Sequence, residues 1–133
     1  FYEPADKYLN LINELDLNDK IIINNKFLDS KMIRDYICAS DLIIQPYIKA
    51  SQSGITPLCY FYETPMVVSD IEGLKDVVIR DKSGAIFKKT SENLSSVILE
   101  SLEKKKNLNF KENIKKSKLK YSWLSFIKEL QKL

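Results

Sequence analysis

The chain has 133 residues, of which 44% are hydrophobic and 29% are charged, the proportions of one ordinary globular domain. The sequence contains no histidine, which excludes Ser-His and Cys-His nucleophiles and most zinc sites. No apolar run approaches the roughly 20 residues that span a bilayer. The start at Phe1, without methionine or a basic and apolar leader, leads us to expect a cytoplasmic fragment of a longer protein.

The net charge of +3 hides a strong asymmetry along the chain. Ten lysines against Glu112 and Glu129 give residues 104–133 a charge of +8, so the remainder carries −5. A basic helical tail is either a solvated face or a contact for an anionic membrane, which would place the protein at the inner face of that membrane. Nucleic acid is not expected as a partner, because basic groups interleaved with aromatic residues are not evident.

The two cysteines, Cys38 and Cys59, lie within apolar helical patterns. We therefore expect both to be buried free thiols. A disulfide or a metal site is the alternative reading.

The amino-terminal third predicts helix, strand and helix. Residues 5–15 place Tyr8, Leu11, Ile12 and Leu15 at helical spacing. Residues 20–28 begin with an isoleucine run that is typical of a strand. Asp29 or Ser30 then caps a helix that runs to residue 40.

The rest of the chain continues the alternation and ends in helices. Strands are predicted at 41–46, 66–70 and 84–87, and the first of these is apolar enough to be buried on both faces. Helices are predicted over 53–63, within 72–81, and over 91–104 with Ser91 as the cap. Two further helices follow in the basic tail, one through Phe110, Ile114 and Tyr121 and one through Trp123, Ile127 and Leu130.

This alternation predicts an α/β fold in one domain, residues 1–133. The expected architecture is a three-layer, Rossmann-like parallel sheet with helices on both faces. Ligands in such folds bind beyond the carboxyl ends of the strands. The candidate segments are therefore those that follow each strand: 27–29, 46–54, 69–73 and 87–88.

Residues 51–54, Ser-Gln-Ser-Gly, place small polar groups at the start of a predicted helix. The first N–H groups of that helix, near Gly54 and Ile55, lack helical partners and attract anions. Gly54 would let an anion approach closely, and Ser51, Gln52 and Ser53 add hydrogen-bonding groups. The sequence predicts either a phosphate site or a plain helix cap. Neither a P-loop nor a dinucleotide fingerprint is present.

Residues 36–87 resemble the carboxyl-terminal, donor-binding domain of retaining glycosyltransferases of family 4 (group 1), which have the two-domain GT-B fold. The resemblance lies in ordered spacing: Ala39-Ser40-Asp41-Leu42, Gln45-Pro46, Pro65-Met66-Val67-Val68, Ser69 to Leu74, and Asp81 to Gly84. It implies a nucleotide-diphosphate sugar as donor, a glycan or lipid-linked acceptor, and an amino-terminal acceptor domain. It also implies that no metal ion is needed and that this part by itself is inactive.

The chain departs from the family at several positions. Where typical members carry two glutamates seven residues apart, alignment places Ala50 and Leu58, so no catalytic residue is assigned. Glu63 and Glu72 stand where the family has glycines. One branch of the family resembles Ala50 to Ile55, and in it the helix start at Ser53, Gly54 and Ile55 would meet the donor diphosphate.

The resemblance and the strand ends suggest further binding residues. Lys49 would pair with the diphosphate and Tyr47 would line the cleft, unless both are loop surface. Phe27 and Leu28 would pack the nucleotide base, unless they are core edge. Gly73 would border the sugar within the 69–73 loop, unless it only enables a turn. The competing functions are a non-catalytic scaffold or nucleotide-sugar-binding domain, and a receiver-like signalling domain, although the first strand lacks the acidic cluster of receivers.

Overall fold

The computed structural model describes residues 5–132, with the side chains of 123, 124, 126 and 129 left out. The chain divides into two compact units, residues 1–32 and 33–133. In the first unit, α1 (Asp6–Glu14) confirms the predicted helix. The Asp29 carboxylate accepts a hydrogen bond from the Met32 N–H at 2.8 Å, so Asp29 is the cap of α2 (Ser30–Ala39).

The predicted strand at 20–28 does not form, since none of these residues is extended in a ladder. Ile22 is 91% exposed and Phe27 is 98% exposed. A strand is stabilised by cross-strand partners and by burial more than by propensity. The three isoleucines before Asn24 and Asn25 are too short an apolar run to form a strand in the absence of cross-strand partners and burial.

The second unit is built on a parallel sheet in the order β1-β2-β3. Its strands are β1 (Ile43–Gln45), β2 (Met66–Ser69) and β3 (Gly84–Phe87). Ile43 is paired with Met66, and Val67 with Ala85. The predicted α/β class is therefore confirmed as a parallel sheet flanked by helices. The prediction that this first strand is buried on both faces was wrong at Ile44, whose side chain is 39% exposed. In the described sheet β1 is an edge strand, with a ladder partner on one side only.

Helices connect the strands, and further helices follow the last strand. They are α3 (Ile55–Tyr62), α4 (Lys75–Asp81), α5 (Ser91–Leu102), α6 (Lys104–Lys118), a 3-10 turn (Leu119–Tyr121) and α7 (Trp123–Leu130). The predicted cap of α5 is shifted by one residue, because the Thr90 hydroxyl, and not that of Ser91, accepts from the Asn93 N–H at 3.3 Å. The second predicted tail helix, through Trp123, Ile127 and Leu130, is α7, and the side chain of Trp123 is not among those described.

The core surrounds β2, whose four residues are all buried. Successive side chains of a strand point to opposite faces, and Met66 and Val68 join Cys59, Val78 and Ile114 in one cluster. Burial raises the pKa of the Cys59 thiol to about 12, as expected for an inert core thiol. Cys38 is a free thiol as expected, but its predicted burial was wrong, because its side chain is exposed.

A buried carboxylate ties α3 and α4 to the 3-10 turn that follows α6. The Asp81 side chain is fully buried and accepts hydrogen bonds from the hydroxyls of Tyr60, at 2.9 Å, and Tyr121. Arg80 Nε lies 3.3 Å from Asp81 Oδ1, and the Tyr60 hydroxyl lies 3.0 Å from Ser83 Oγ. Burial alone would raise the pKa of Asp81, but the hydrogen bonds from Tyr121, Arg80 and Tyr60 outweigh it and lower the pKa.

Candidate functional site at the carboxyl edge of the sheet

The loop between β1 and α3 leads the chain from the sheet edge to a helix start. Ser53 Oγ accepts a hydrogen bond from the Ile55 N–H at 3.1 Å and lies 3.5 Å from the Tyr47 hydroxyl. The Ser53 hydroxyl thus caps this N–H, as the plain reading of the motif predicts. An anion at the helix start would have to share or replace that contact.

Gly54 leaves the approach to the helix start open. Its backbone is right-handed helical, with φ −66°, so the conformation does not require glycine. A Cβ placed on it would meet no atom within 4 Å. Neither the backbone conformation nor packing therefore requires glycine here, and the absent side chain leaves the helix start accessible to a ligand.

Gly73 brings a second loop against the first. It has φ +84°, and a Cβ there would lie 2.2 Å from the Ser51 carbonyl oxygen. The Gly73 N–H donates to Asp76 Oδ2 at 3.2 Å. The loops after β1 and β2 are consequently in backbone contact at the carboxyl edge of the sheet.

Two cavities flank this contact. A shallow, open depression of about 660 Å³ is lined by residues 48–51 and 71–73, including Lys49, Ser51 and Gly73. A second cavity, of about 960 Å³, extends along α3 and is lined by Gln52 and Ser53 together with apolar side chains such as Leu58 and Leu119. Of the predicted loop residues, Lys49 and Ser51 line the first cavity, Gln52 and Ser53 line the second, and Gly73 borders both.

Gln45 fixes the helix start on the sheet. Its side chain is buried, and its Oε1 accepts from Thr56 Oγ1 at 3.2 Å. The Gln45 backbone carbonyl accepts from Ser69 Oγ at 3.1 Å. One buried residue therefore sets the position of α3 and of the end of β2 relative to β1.

Lysines near this edge include one that the sequence reasoning missed. Lys89 Nζ donates to the Ile48 carbonyl at 2.8 Å and so braces the loop that carries Lys49. The sequence could have indicated Lys89 by its position just after β3, one residue beyond the candidate segment 87–88. Lys75 Nζ lies 2.7 Å from Asp70 Oδ1, and this contact lowers the pKa of the Asp70 carboxyl.

Two predicted residues belong to the amino-terminal unit. Phe27 is exposed and Leu28 is half-buried. Phe27 therefore does not form a core edge. Their role in packing a nucleotide base stays a prediction.

Within the described residues, 5–132, no three Cys, Asp or Glu side chains cluster as ligands for an ion. None of the helices described there is both long enough and apolar enough to cross a bilayer.

Comparison with solved structures defines the fold. Sucrose-phosphate synthase from Thermosynechococcus elongatus superposes on 96% of this chain with a TM-score of 0.75 at 16% identity. The fold is therefore similar to that of GT-B glycosyltransferases. This chain spans 32% of the length of that structure.

Sequence comparison then gives the family. The model of glycosyl transferases group 1 matches residues 3–117, and the chain belongs to this family. Among curated proteins, no sequence matches significantly.

Proposed function

We propose that this chain is the carboxyl-terminal, donor-binding half of a retaining, family 4 glycosyltransferase. It binds a nucleotide-diphosphate sugar between the loop 47–54 and Gly73. The observation that carries the proposal is the open helix start at Gly54, which stands beside the Ser51–Gly73 contact in a chain of the glycosyl transferases group 1 family.

The proposed site stabilises the negative charge that develops on the leaving diphosphate. The start of α3 supplies backbone N–H groups, whose partial positive charge favours an anion. Lys49 lines the depression and Lys89 lies against its loop, so two cations add to this field. Donors fixed before reaction are effective because they need no reorganisation when charge develops. No metal ion is required in this proposal.

Glu72 is our candidate for the contact with the transferred sugar. Three carboxylates follow β2, and two of them are engaged, Asp70 with Lys75 and Asp76 with the Gly73 N–H. Glu72 lines the depression beside Lys49, and no ion pair or hydrogen bond holds it within the described part of the chain. Its carboxylate is thus available for sugar hydroxyls, where Ala50 and Leu58 offer none.

The acceptor side is proposed to come from an amino-terminal domain of the same protein. A hydroxyl of a glycan or of a lipid-linked acceptor would then attack the donor in the cleft between the domains. This chain spans 32% of the sucrose-phosphate synthase structure. In this proposal it supplies the donor side of such a cleft and is inactive by itself.

Calorimetric titration with UDP, GDP and ADP, each against its nucleoside, tests the proposal. One diphosphate should bind with a Kd below about 1 mM, and its nucleoside should bind at least tenfold more weakly. A tenfold difference corresponds to about 1.4 kcal/mol, which is less than the charge-assisted hydrogen bonds to a diphosphate should contribute. Equal affinity for the nucleoside would overturn the diphosphate site. The preferred base would identify the donor nucleotide.

A non-catalytic binding role is the second candidate, favoured by one observation. Ala50 packs against the core cluster and Leu58 adds an apolar side chain to the cavity along α3, so neither position of the family glutamates supplies a polar group. A scaffold or sensor would bind the nucleotide sugar without releasing the nucleoside diphosphate. Assaying that release, with the acceptor domain present, separates the two functions.

A further inference from the structure

The outward face of α6 carries several of the lysines that make residues 104–133 basic. The opposite face is buried through Ile114 and Ser117, which fixes the orientation of the helix. Lys104, Lys105 and Lys116 consequently face solvent. This outward face has Glu112 as its acidic residue.

Several of these lysines lack a carboxylate partner. Lys106 is paired with Glu100 at 2.7 Å, and Lys115 and Lys118 both approach Glu63. Within the described part of the chain, by contrast, no carboxylate lies within 4.0 Å of the ammonium groups of Lys104, Lys105, Lys111 or Lys116. Their charge is therefore available to an external anionic surface.

Apolar side chains lie among the lysines. Leu108 is 50% exposed and falls between Lys104 and Lys111 on one helical stripe. Leu119, just after the helix, is 69% exposed, and Leu102, just before it, is also exposed. The exposed leucines therefore add apolar area to the positively charged surface that the lysines form.

We propose that this basic face, defined by Lys104, Lys105, Leu108, Lys116 and Leu119, docks on a bilayer that contains anionic lipids. Lysines near such a surface are attracted by its negative potential, and the leucines enter the headgroup boundary. Nucleic acid is the less favoured anion, because single-strand binding uses exposed aromatic platforms and the aromatic residue of α6, Phe110, is partly buried. The proposal goes beyond donor binding and does not depend on it.

Vesicle co-sedimentation tests the proposal with the whole chain. The vesicles are phosphatidylcholine alone or phosphatidylcholine with phosphatidylglycerol. We expect binding to the anionic vesicles only, weakened by salt. The triple variant Lys104→Gln, Lys105→Gln, Lys116→Gln should bind about a hundredfold more weakly, at about fivefold for each lysine.

The matched control removes the same charge elsewhere. Lys20→Gln, Lys26→Gln, Lys31→Gln lowers the net charge equally at exposed positions and should bind as the wild type does. Leu108→Gln should also weaken binding, while circular dichroism shows each variant to be folded. Equal binding to neutral vesicles, equal loss in both triple variants, or tighter binding of an RNA oligonucleotide than of anionic vesicles would each overturn the proposal.

Discussion

At the residue scale, the two glycines of the candidate site play different structural roles. Gly73 is required by its backbone, since φ is +84° and a Cβ would fall 2.2 Å from the Ser51 oxygen. Gly54 has an ordinary helical φ and open space around it. The sequence singled out both, but only the fold distinguishes a conformational requirement from an open approach.

Replacing Gly73 by alanine should lower the free energy of unfolding by about 3 kcal/mol. Left-handed backbone costs about 1–2 kcal/mol without glycine, and a forced backbone shift costs about 1–3 kcal/mol. Urea denaturation measures the change. Gly54→Ala is the matched control and should change stability by less than about 1 kcal/mol. Similar losses in both variants would contradict the assigned Gly73–Ser51 contact.

Asp81 makes a prediction about acid stability. Because its hydrogen bonds lower the pKa of this carboxyl below its ordinary value of 3.8, its stabilisation is complete above that value and is lost as the pH falls through the lowered pKa. Asp81→Asn should therefore be less stable at neutral pH and should lose less stability on acidification.

Thermal unfolding between about pH 7 and pH 3 measures this difference. If Asp81→Asn loses as much stability in acid as the wild type, its carboxylate is not the buried acceptor described above.

A variant of Glu72 distinguishes binding of the sugar from binding of the diphosphate. If its carboxylate meets the sugar, Glu72→Gln should weaken binding of the nucleotide sugar by about tenfold, since a hydrogen bond to a charged group contributes about 1.5–3 kcal/mol. Binding of the nucleoside diphosphate should not change. Calorimetry with both ligands measures the two affinities, and a parallel loss for both ligands would place Glu72 at the diphosphate instead.

At the scale of elements, the start of α5 is capped by the side chain of Thr90. Thr90 has extended backbone and its hydroxyl accepts from the Asn93 N–H. Thr90→Ala should cost about 1 kcal/mol of unfolding free energy, whereas Thr90→Ser keeps the oxygen and should cost little. Denaturant titration of both variants checks the cap, and an equal cost would argue against it.

The elements that the sequence predicted well are those whose pattern is local. The apolar run at Met66 to Val68 and the glycine that opens β3 have unambiguous signals, and Gly84 fits because a Cβ would meet the Met66 oxygen. The cap of α5 was misplaced by one residue because Thr90 and Ser91 carry equivalent hydroxyls. The isoleucine run at 21–23 failed as a strand because strand formation depends on partners that the run itself does not specify.

At the scale of the whole molecule, the candidate site combines local and distant contributions. Ser53 and Gly54 were predictable, because a helix start is a local feature. The Gly73–Ser51 contact and the support of Ile48 by Lys89 join residues 22 and 41 positions apart, and no periodicity in the sequence encodes them. The parallel order of the strands creates both, by bringing the carboxyl ends of β1, β2 and β3 to one edge.

The central claim is that a donor diphosphate binds at the open start of α3. The most direct test is calorimetric titration of wild type, Gly54→Gln and Gly54→Glu with the preferred nucleoside diphosphate. The two variants add side chains of nearly equal size, so their difference reports charge. We expect Gly54→Glu to bind at least about tenfold more weakly than Gly54→Gln, because a carboxylate would stand within a few ångströms of the phosphates. Equal affinity of the two variants would contradict the account and place the diphosphate elsewhere.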